Sequence, residues 1–193
     1  MNLRQTCRQK RRQLSQAEQQ QHARQACRHL LRSAWLQRPK RIAVYLPQDG
    51  ELSTLPLIQA LWQRHHQVYL PVLQTLRGRH MAFARYQPQT PMKPNQFGIV
   101  EPHLPHQQHR TGQQLDLVIM PLTCFDESGH RIGMGGGFYD RTFQFKQRPN
   151  AVPNRPRLIG WAHECQKVAT IAAAPWDLPM DALITEKRLY RFR

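Results

Sequence analysis

Arg41-Ile-Ala-Val-Tyr-Leu46 and Val68-Tyr-Leu-Pro-Val72 flank the segment Thr54 to Gln63, which carries Leu57, Ile58, Leu61 and Trp62. The outer runs are short, apolar and rich in β-branched and aromatic residues, the composition of strands. The middle segment repeats its apolar residues at helical spacing. The first run stops at Pro47-Gln-Asp-Gly50, a turn signature. Strand, helix, strand in this length implies a parallel crossover. In open parallel sheets ligands bind beyond the carboxyl ends of the strands, and Gln48 to Ser53 lies at such an end.

Working outward, Leu115 to Met120 and Arg157 to Trp161 read as further buried strands, and Asp181 to Thr185 as the last, followed by a basic tail. Met81 to Tyr86 alternates loosely, as an edge strand does. Residues 87–114 are rich in Pro, Gln and His and show little periodicity, so they read as a long loop, often a lid or binding loop. Toward the amino terminus, residues 2–14 suit a short helix with a basic face made of Arg4, Arg8, Lys10, Arg11 and Arg12. Ser15-Gln-Ala-Glu18 has the form of a capping box, and the second helix runs from about residue 16 to Trp35. No internal repeat or composition shift divides the chain, so residues 1–193 read as a single α/β domain.

The second telling stretch is Arg131-Ile-Gly-Met-Gly-Gly-Gly-Phe-Tyr-Asp-Arg141, with four of the chain's ten glycines. Glycine loses more backbone freedom on folding than any other residue, so a run of three is kept where backbone must approach something closely or adopt positive φ. It follows the strand ending at Met120 and precedes a helically spaced run, an order that offers backbone amides to an anion. No Gly-Lys-Ser/Thr follows, so this is not a Walker A loop, and Phe138 stands where a dinucleotide fingerprint needs Gly or Ala. A tight turn between packed elements is the plainer reading. Asp140, Arg131 and Arg141 add a carboxylate for a metal and cations for phosphate.

Composition narrows the class. The net charge is +16, which suits nucleic-acid binding or a basic surface that attracts small polyanions. Basic residues are scattered, and no stacking platform of interleaved aromatics is evident. Cys7, Cys27, Cys124 and Cys165 form no Cys-x-x-Cys pair, which argues against a zinc site and a disulfide framework. Most of the ten histidines read as surface residues. Trp161 and Trp176 read as core. No apolar run approaches a membrane span and no secretory signal is present, so a cytoplasmic protein is expected.

Five ordered segments together resemble the 5-formyltetrahydrofolate cyclo-ligases (5,10-methenyltetrahydrofolate synthetases). They are the basic first helix with Leu3, Arg4 and Arg8, the turn Asp49-Gly-Glu-Leu52, Phe97-Gly-Ile-Val-Glu-Pro102, the glycine stretch, and Pro179-Met-Asp-Ala-Leu-Ile-Thr185. The resemblance implies a three-layer α/β/α sandwich, related to the NagB/RpiA/CoA-transferase-like group, with a largely parallel sheet. It implies an enzyme that uses ATP and Mg²⁺ to convert folinate to 5,10-methenyltetrahydrofolate, with no nucleic-acid or membrane partner; with no heptads or dominant apolar surface stripe in the sequence, a monomer is expected.

By position, the resemblance implies that Gly133, Met134, Gly135, Gly136, Gly137, Phe138, Tyr139 and Asp140 surround the ATP phosphates, with Gly135, Gly136, Gly137 and Tyr139 at the reacting centre. Arg4, Arg8 and Arg131 would supply cations to the nucleotide. Leu46, Glu51 and Tyr139 would line the folate site, and Asp140 and Asp181 would hold Mg²⁺. Two departures stand out: some relatives carry Arg or Tyr at the place of Met134, and some carry a lysine ahead of the Leu-Arg pair, where this chain begins Met1-Asn2.

Overall fold

The computed structural model describes residues 2–74, 80–148 and 155–192. Two helices open the chain: α1 (Leu3–Arg12), capped by the Asn2 side chain, and α2 (Gln16–Leu31). The Ser15–Glu18 capping box forms as expected, with the Glu18 carboxylate on the Ser15 amide at 2.8 Å. α2 stops four residues short of Trp35, because Ser33 diverts the chain into a 3₁₀ turn at Ala34–Leu36.

Among the described residues the main sheet has eight strands. In chain order its members are β1 (Arg41–Ala43), β2 (Gln67–Gln74) and β3 (His80–Arg85), with the short β6 (His109–Arg110), then β7 (Leu117–Pro121), β10 (Arg157–Trp161), β11 (Ala182–Ile184) and β12 (Leu189–Arg191). Across the sheet they run β12-β11-β10-β7-β1-β2-β3-β6. The central pairs, β11 to β10 to β7 to β1 to β2, are all parallel. The crossover from β1 to β2 passes through α3 (Leu55–Gln63), and Ile42 stands opposite Val68. Antiparallel strands close both ends.

Strand side chains point alternately to the two faces, and here each face has its own core. Ile42, Val68, Leu117, Ile119, Ile159, Trp161 and Ile184 pack against Ala26, Leu30, Leu57 and Leu61 of α2 and α3. Their neighbours Ala43, Tyr69, Val118, Met120, Leu158 and Leu183 pack on the opposite side with Phe143, the last residue of α4 (Phe138–Phe143). Helix, sheet and helix therefore make three layers, as the crossover predicts.

Several expectations need correction. Residues 87–114 are not a featureless loop. They hold the hairpin of β4 (Met92–Pro94) and β5 (Val100–Pro102) and then β6. Asn95 organises the hairpin turn by accepting the amides of Phe97 and Ile99. The tail after Thr185 is not loose either, but turns back as edge strand β12. Between β7 and the glycines lies another hairpin, β8 (Cys124–Phe125) with β9 (Arg131–Ile132). Trp176 is 72% exposed, whereas Trp161 is core. His66 and His163 are buried, unlike the surface histidines expected. Among the described residues, no helix is long and apolar enough to cross a membrane.

Candidate functional site

The turn after β1 is fixed by its own backbone partners. The Tyr45 hydroxyl donates to the Leu52 carbonyl at 2.6 Å, and the Thr54 hydroxyl donates to the Tyr45 carbonyl at 2.5 Å. Asp49 and Gly50 adopt positive φ, 51° and 71°, which sends the chain sharply back toward α3. A Cβ on Gly50 would press on the Arg11 carbonyl at 3.3 Å, so α1 packs directly against this turn.

Arginines of α1 converge on Asp49. Arg8 Nε reaches Oδ2 at 2.9 Å, Arg11 Nη2 reaches the same oxygen at 3.1 Å, and Arg12 pairs with Oδ1. Arg11 is wholly buried and also donates to the Asp49 and Leu122 carbonyls. Burial of Asp49 works to raise its carboxyl pKa, but the bonds from Arg12, Arg8 and Arg11 prevail and hold it below the usual range. Arg8 is therefore engaged with Asp49, and the sequence reading missed both Asp49 and Arg11 as organisers. The available signal was the spacing of Cys7 and Arg11, which share the buried face of α1.

Arg4 takes a different direction. Its Nε donates to the Gly133 carbonyl at 2.9 Å, and a Cβ on Gly135 would lie 4.0 Å from its Nη1. The first helix thus lays a guanidinium on the glycine turn. Gly135 and Gly137 have φ of 95° and 62°, a region where a Cβ is disfavoured. Gly137 is the residue from which α4 starts. Gly136 carries a second constraint, because a Cβ there would collide with the Phe138 ring. Arg141 donates to the Gly136 carbonyl and its guanidinium stands 5.6 Å from the centre of the Phe138 ring. Met134 is 54% exposed, with the Thr123 hydroxyl 3.6 Å from its sulfur.

The turn after β1 and the start of α4 meet at Glu51 and Tyr139. Glu51 keeps 11% of its side chain exposed. Its Oε2 accepts the Gln48 amide at 3.1 Å, and its Oε1 stands 3.9 Å from Arg11. Burial raises its pKa above the usual value, against the Gln48 amide and the Arg11 charge. The Tyr139 hydroxyl is raised by its own burial and by the charge of Glu51, and Tyr45 is raised for the same reasons. Tyr45 and Glu51, six residues apart, thus share one low-dielectric corner with Tyr139 from far along the chain. Leu46 packs at the margin of the core under α2 and α3.

Asp140 and Asp181 are each tied to a cation. Asp140 Oδ1 accepts from Arg131 at 2.6 Å and from the Leu178 amide at 3.3 Å, with 28% of the side chain exposed. Asp181 lies just ahead of β11. Its Oδ2 accepts the Leu158 amide at 2.7 Å and stands 3.3 Å from the Lys146 ammonium, with 4% of the side chain exposed. The structure brings Asp140, Arg131, Arg4 and Tyr139 to the glycine turn and leaves Asp181 within the sheet, where a metal ion would have to displace Lys146.

The arrangement joins a glycine turn, two arginines and a partly exposed carboxylate on one side to a raised carboxyl and two tyrosines on the other. It suits a phosphate-bearing ligand beside a flat polar one. Comparison with known proteins adds the family. The sequence profile of the 5-formyltetrahydrofolate cyclo-ligase family matches residues 1–186. The chain is 42% identical over 167 residues to the 5-formyltetrahydrofolate cyclo-ligase of Haemophilus influenzae, covering 86% of this chain and 87% of that one. It is 38% identical over 185 residues to the Escherichia coli K12 protein of the same name, covering 96% and 99%. Among solved structures it resembles the 5,10-methenyltetrahydrofolate synthetase of Aquifex aeolicus, with a TM-score of 0.81, 27% identity, and coverage of 99% of this chain and 91% of that one.

Proposed function

This chain belongs to the 5-formyltetrahydrofolate cyclo-ligase family, and from that premise we propose that it is the enzyme that converts folinate to 5,10-methenyltetrahydrofolate with consumption of ATP. The observation that carries the site assignment is the hydrogen bond from Arg4 to the Gly133 carbonyl, which joins the basic first helix to the glycine turn. In this reading the amides of residues 133–137, with Arg4, receive the ATP phosphates, while Arg131, nearly buried and bonded to the Leu178 carbonyl, orients Asp140 rather than reaching the nucleotide itself. Glu51 accepts the paired N–H donors of the pterin ring, and Tyr139 stands between the two ligands.

The formyl oxygen of folinate attacks the γ-phosphorus, and ADP leaves. Nitrogen 10 then adds to the activated carbon and gives up its proton to solvent, and the former formyl oxygen departs on phosphate. Phosphoryl transfer of this kind depends on positioning and charge neutralisation, which a rigid glycine turn with fixed cations supplies. Glycines are needed because side chains at Gly135 and Gly137 would be strained and would hold the phosphates away. Mg²⁺ demands hard oxygen donors and keeps several waters. Asp140, a partly exposed carboxylate beside the turn, fits that demand, and the ion would bring charge neutralisation of the phosphate oxygens. Asp181, buried against Lys146, fits it poorly.

The test is a split in kinetic constants. Arg4→Gln should raise KM for ATP while leaving KM for folinate nearly unchanged, and Glu51→Gln should do the reverse. Equal effects of both variants on both substrates would overturn the division of the site.

A further inference from the structure

Outside the residues assigned to the reaction, three metal-ligating side chains meet that the reaction does not use. His22 comes from the middle of α2, His163 from the end of β10, and Glu186 from the turn after β11. Their nearest ligand atoms all lie within 4.8 Å of one another. The Nδ1 atoms of His22 and His163 stand 3.0 Å apart, and the Glu186 Oε2 is 3.9 Å from His22 Nδ1.

Two nitrogens bound to one tetrahedral zinc at about 2.0–2.1 Å would stand about 3.3 Å apart, so the imidazole pair needs to open only slightly. The carboxylate would close on His22 by about half an ångström to match the same tetrahedron, and further on His163, from which it lies within 4.8 Å. His163 has no exposed surface, and its Nε2 is buried without a hydrogen-bond partner. The His163 side chain also caps the following turn at the Gln166 amide and draws on the Gly50 backbone, and Nδ1 is the ring nitrogen turned toward His22.

The protonation state also suits a ligand. Burial first, then the neighbouring His22, pushes His163 down to about 4, so its ring is neutral at ordinary pH. Arg11, a nearby cation, is already engaged by Asp49 and two backbone carbonyls. Glu186 contributes the negative charge, and its carboxylate is steadied by the Glu164 amide at 3.0 Å. The His29 ring stands 3.1 Å from the Glu186 carbonyl, which fixes the turn that carries it. Side-chain exposure of 19% at His22 and 9% at Glu186 leaves a path for a cation and a water.

We propose that His22, His163 and Glu186 form a binding site for a divalent transition cation of the zinc class, held through both Nδ1 atoms, the Glu186 carboxylate and one water. Two imidazoles and one carboxylate are the donors that zinc takes and magnesium does not. The ion would clamp α2 to the ends of β10 and β11. Its role is therefore structural and separate from the magnesium that accompanies ATP.

The experiment titrates tag-free full-length protein with Zn²⁺ against a chromophoric chelator, and repeats the titration with Co²⁺ to read the visible bands of a tetrahedral ion. The expected result is one equivalent bound, unaffected by excess Mg²⁺, with a higher melting temperature in its presence. His22→Ala should keep α2 intact, because alanine is a strong helix former at a partly exposed position. That variant and Glu186→Gln should each weaken zinc at least about tenfold, the order seen when a metal site loses a supporting group. They should also abolish the zinc-dependent rise in melting temperature. Failure of the wild type to compete for zinc, or equal zinc affinity in His22→Ala, would overturn the proposal.

Discussion

Asp49→Asn is the most informative single perturbation of the fold near the site. Asparagine tolerates the positive φ of 51° that this position adopts, so the turn itself is not strained by the change. The loss is one negative charge shared by three arginines. Arg8 and Arg12 keep 34% and 56% of their side chains exposed, so each pair contributes at most about 1 kcal/mol after solvent screening. Arg11 is wholly buried. Removing the partner of a fully buried ion costs about 3–5 kcal/mol, but Arg11 retains the Asp49 and Leu122 carbonyls, and Glu51 stands 3.9 Å away. A net loss of about 2–3 kcal/mol follows from these opposing contributions. For a chain of this size that lowers the melting temperature by about 4–12 °C. Urea unfolding at pH 7 measures the free energy, provided the slope is unchanged.

The pH dependence gives a second reading of the same variant. Asp49 is held below its ordinary carboxyl value of 3.8 in the folded protein. A depressed acid contributes stability that is complete above the unfolded value and is lost as the pH falls through the folded one. The wild type should therefore lose more stability than Asp49→Asn as the pH is lowered from 5 toward 3. A loss below about 0.5 kcal/mol at pH 7, the scale of an ordinary surface change, together with parallel pH profiles, would refute the role assigned to Asp49.

Other outcomes follow from the same geometry. Glu51→Gln should be as stable as the wild type or more so at pH 7, because burial raises the carboxyl and so penalises its charged form; urea unfolding beside the folinate KM checks that stability and binding move in opposite directions. Gly137→Ala should cost about 1–2 kcal/mol from its φ of 62° and reduce turnover, as read by melting temperature and kcat. Asp126, on which the Ile171 and His130 amides and the His130 ring outweigh burial to lower the pKa, should make Asp126→Asn less stable at neutral pH and less sensitive to acid, by the same unfolding assay. Trp176→Ala should change stability by less than about 0.5 kcal/mol, since the ring is mostly in solvent.

The parallel crossover was legible because β1, α3 and β2 each carry a strong period of apolar residues, and Ile42 opposite Val68 is its direct consequence. The short elements were not. β12 spans Leu189–Arg191 beside the charged Arg188, too few residues to show a period. Likewise the β8–β9 hairpin has two residues per strand, and backbone pairing rather than pattern defines it. At the site, positive φ at Gly135 and Gly137 could be anticipated from the glycine run. What sequence alone could not show is where the arginines of α1 point. Arg4 and Arg8 lie one turn apart, yet one reaches Gly133 and the other Asp49. Asp181 shows the same limit, since its partner Lys146 comes from beyond α4. The His22–His163–Glu186 cluster was also hidden, because its members lie on three separate elements.

The measurement that bears most directly on the account mixes purified protein with folinate and Mg-ATP and follows the near-ultraviolet absorbance of methenyltetrahydrofolate together with ADP. The account predicts product only when both substrates are present, with one ADP formed for each methenyl group and loss of both signals in Asp140→Ala. Absence of product, product without ATP, or ADP release that does not require folinate would contradict it.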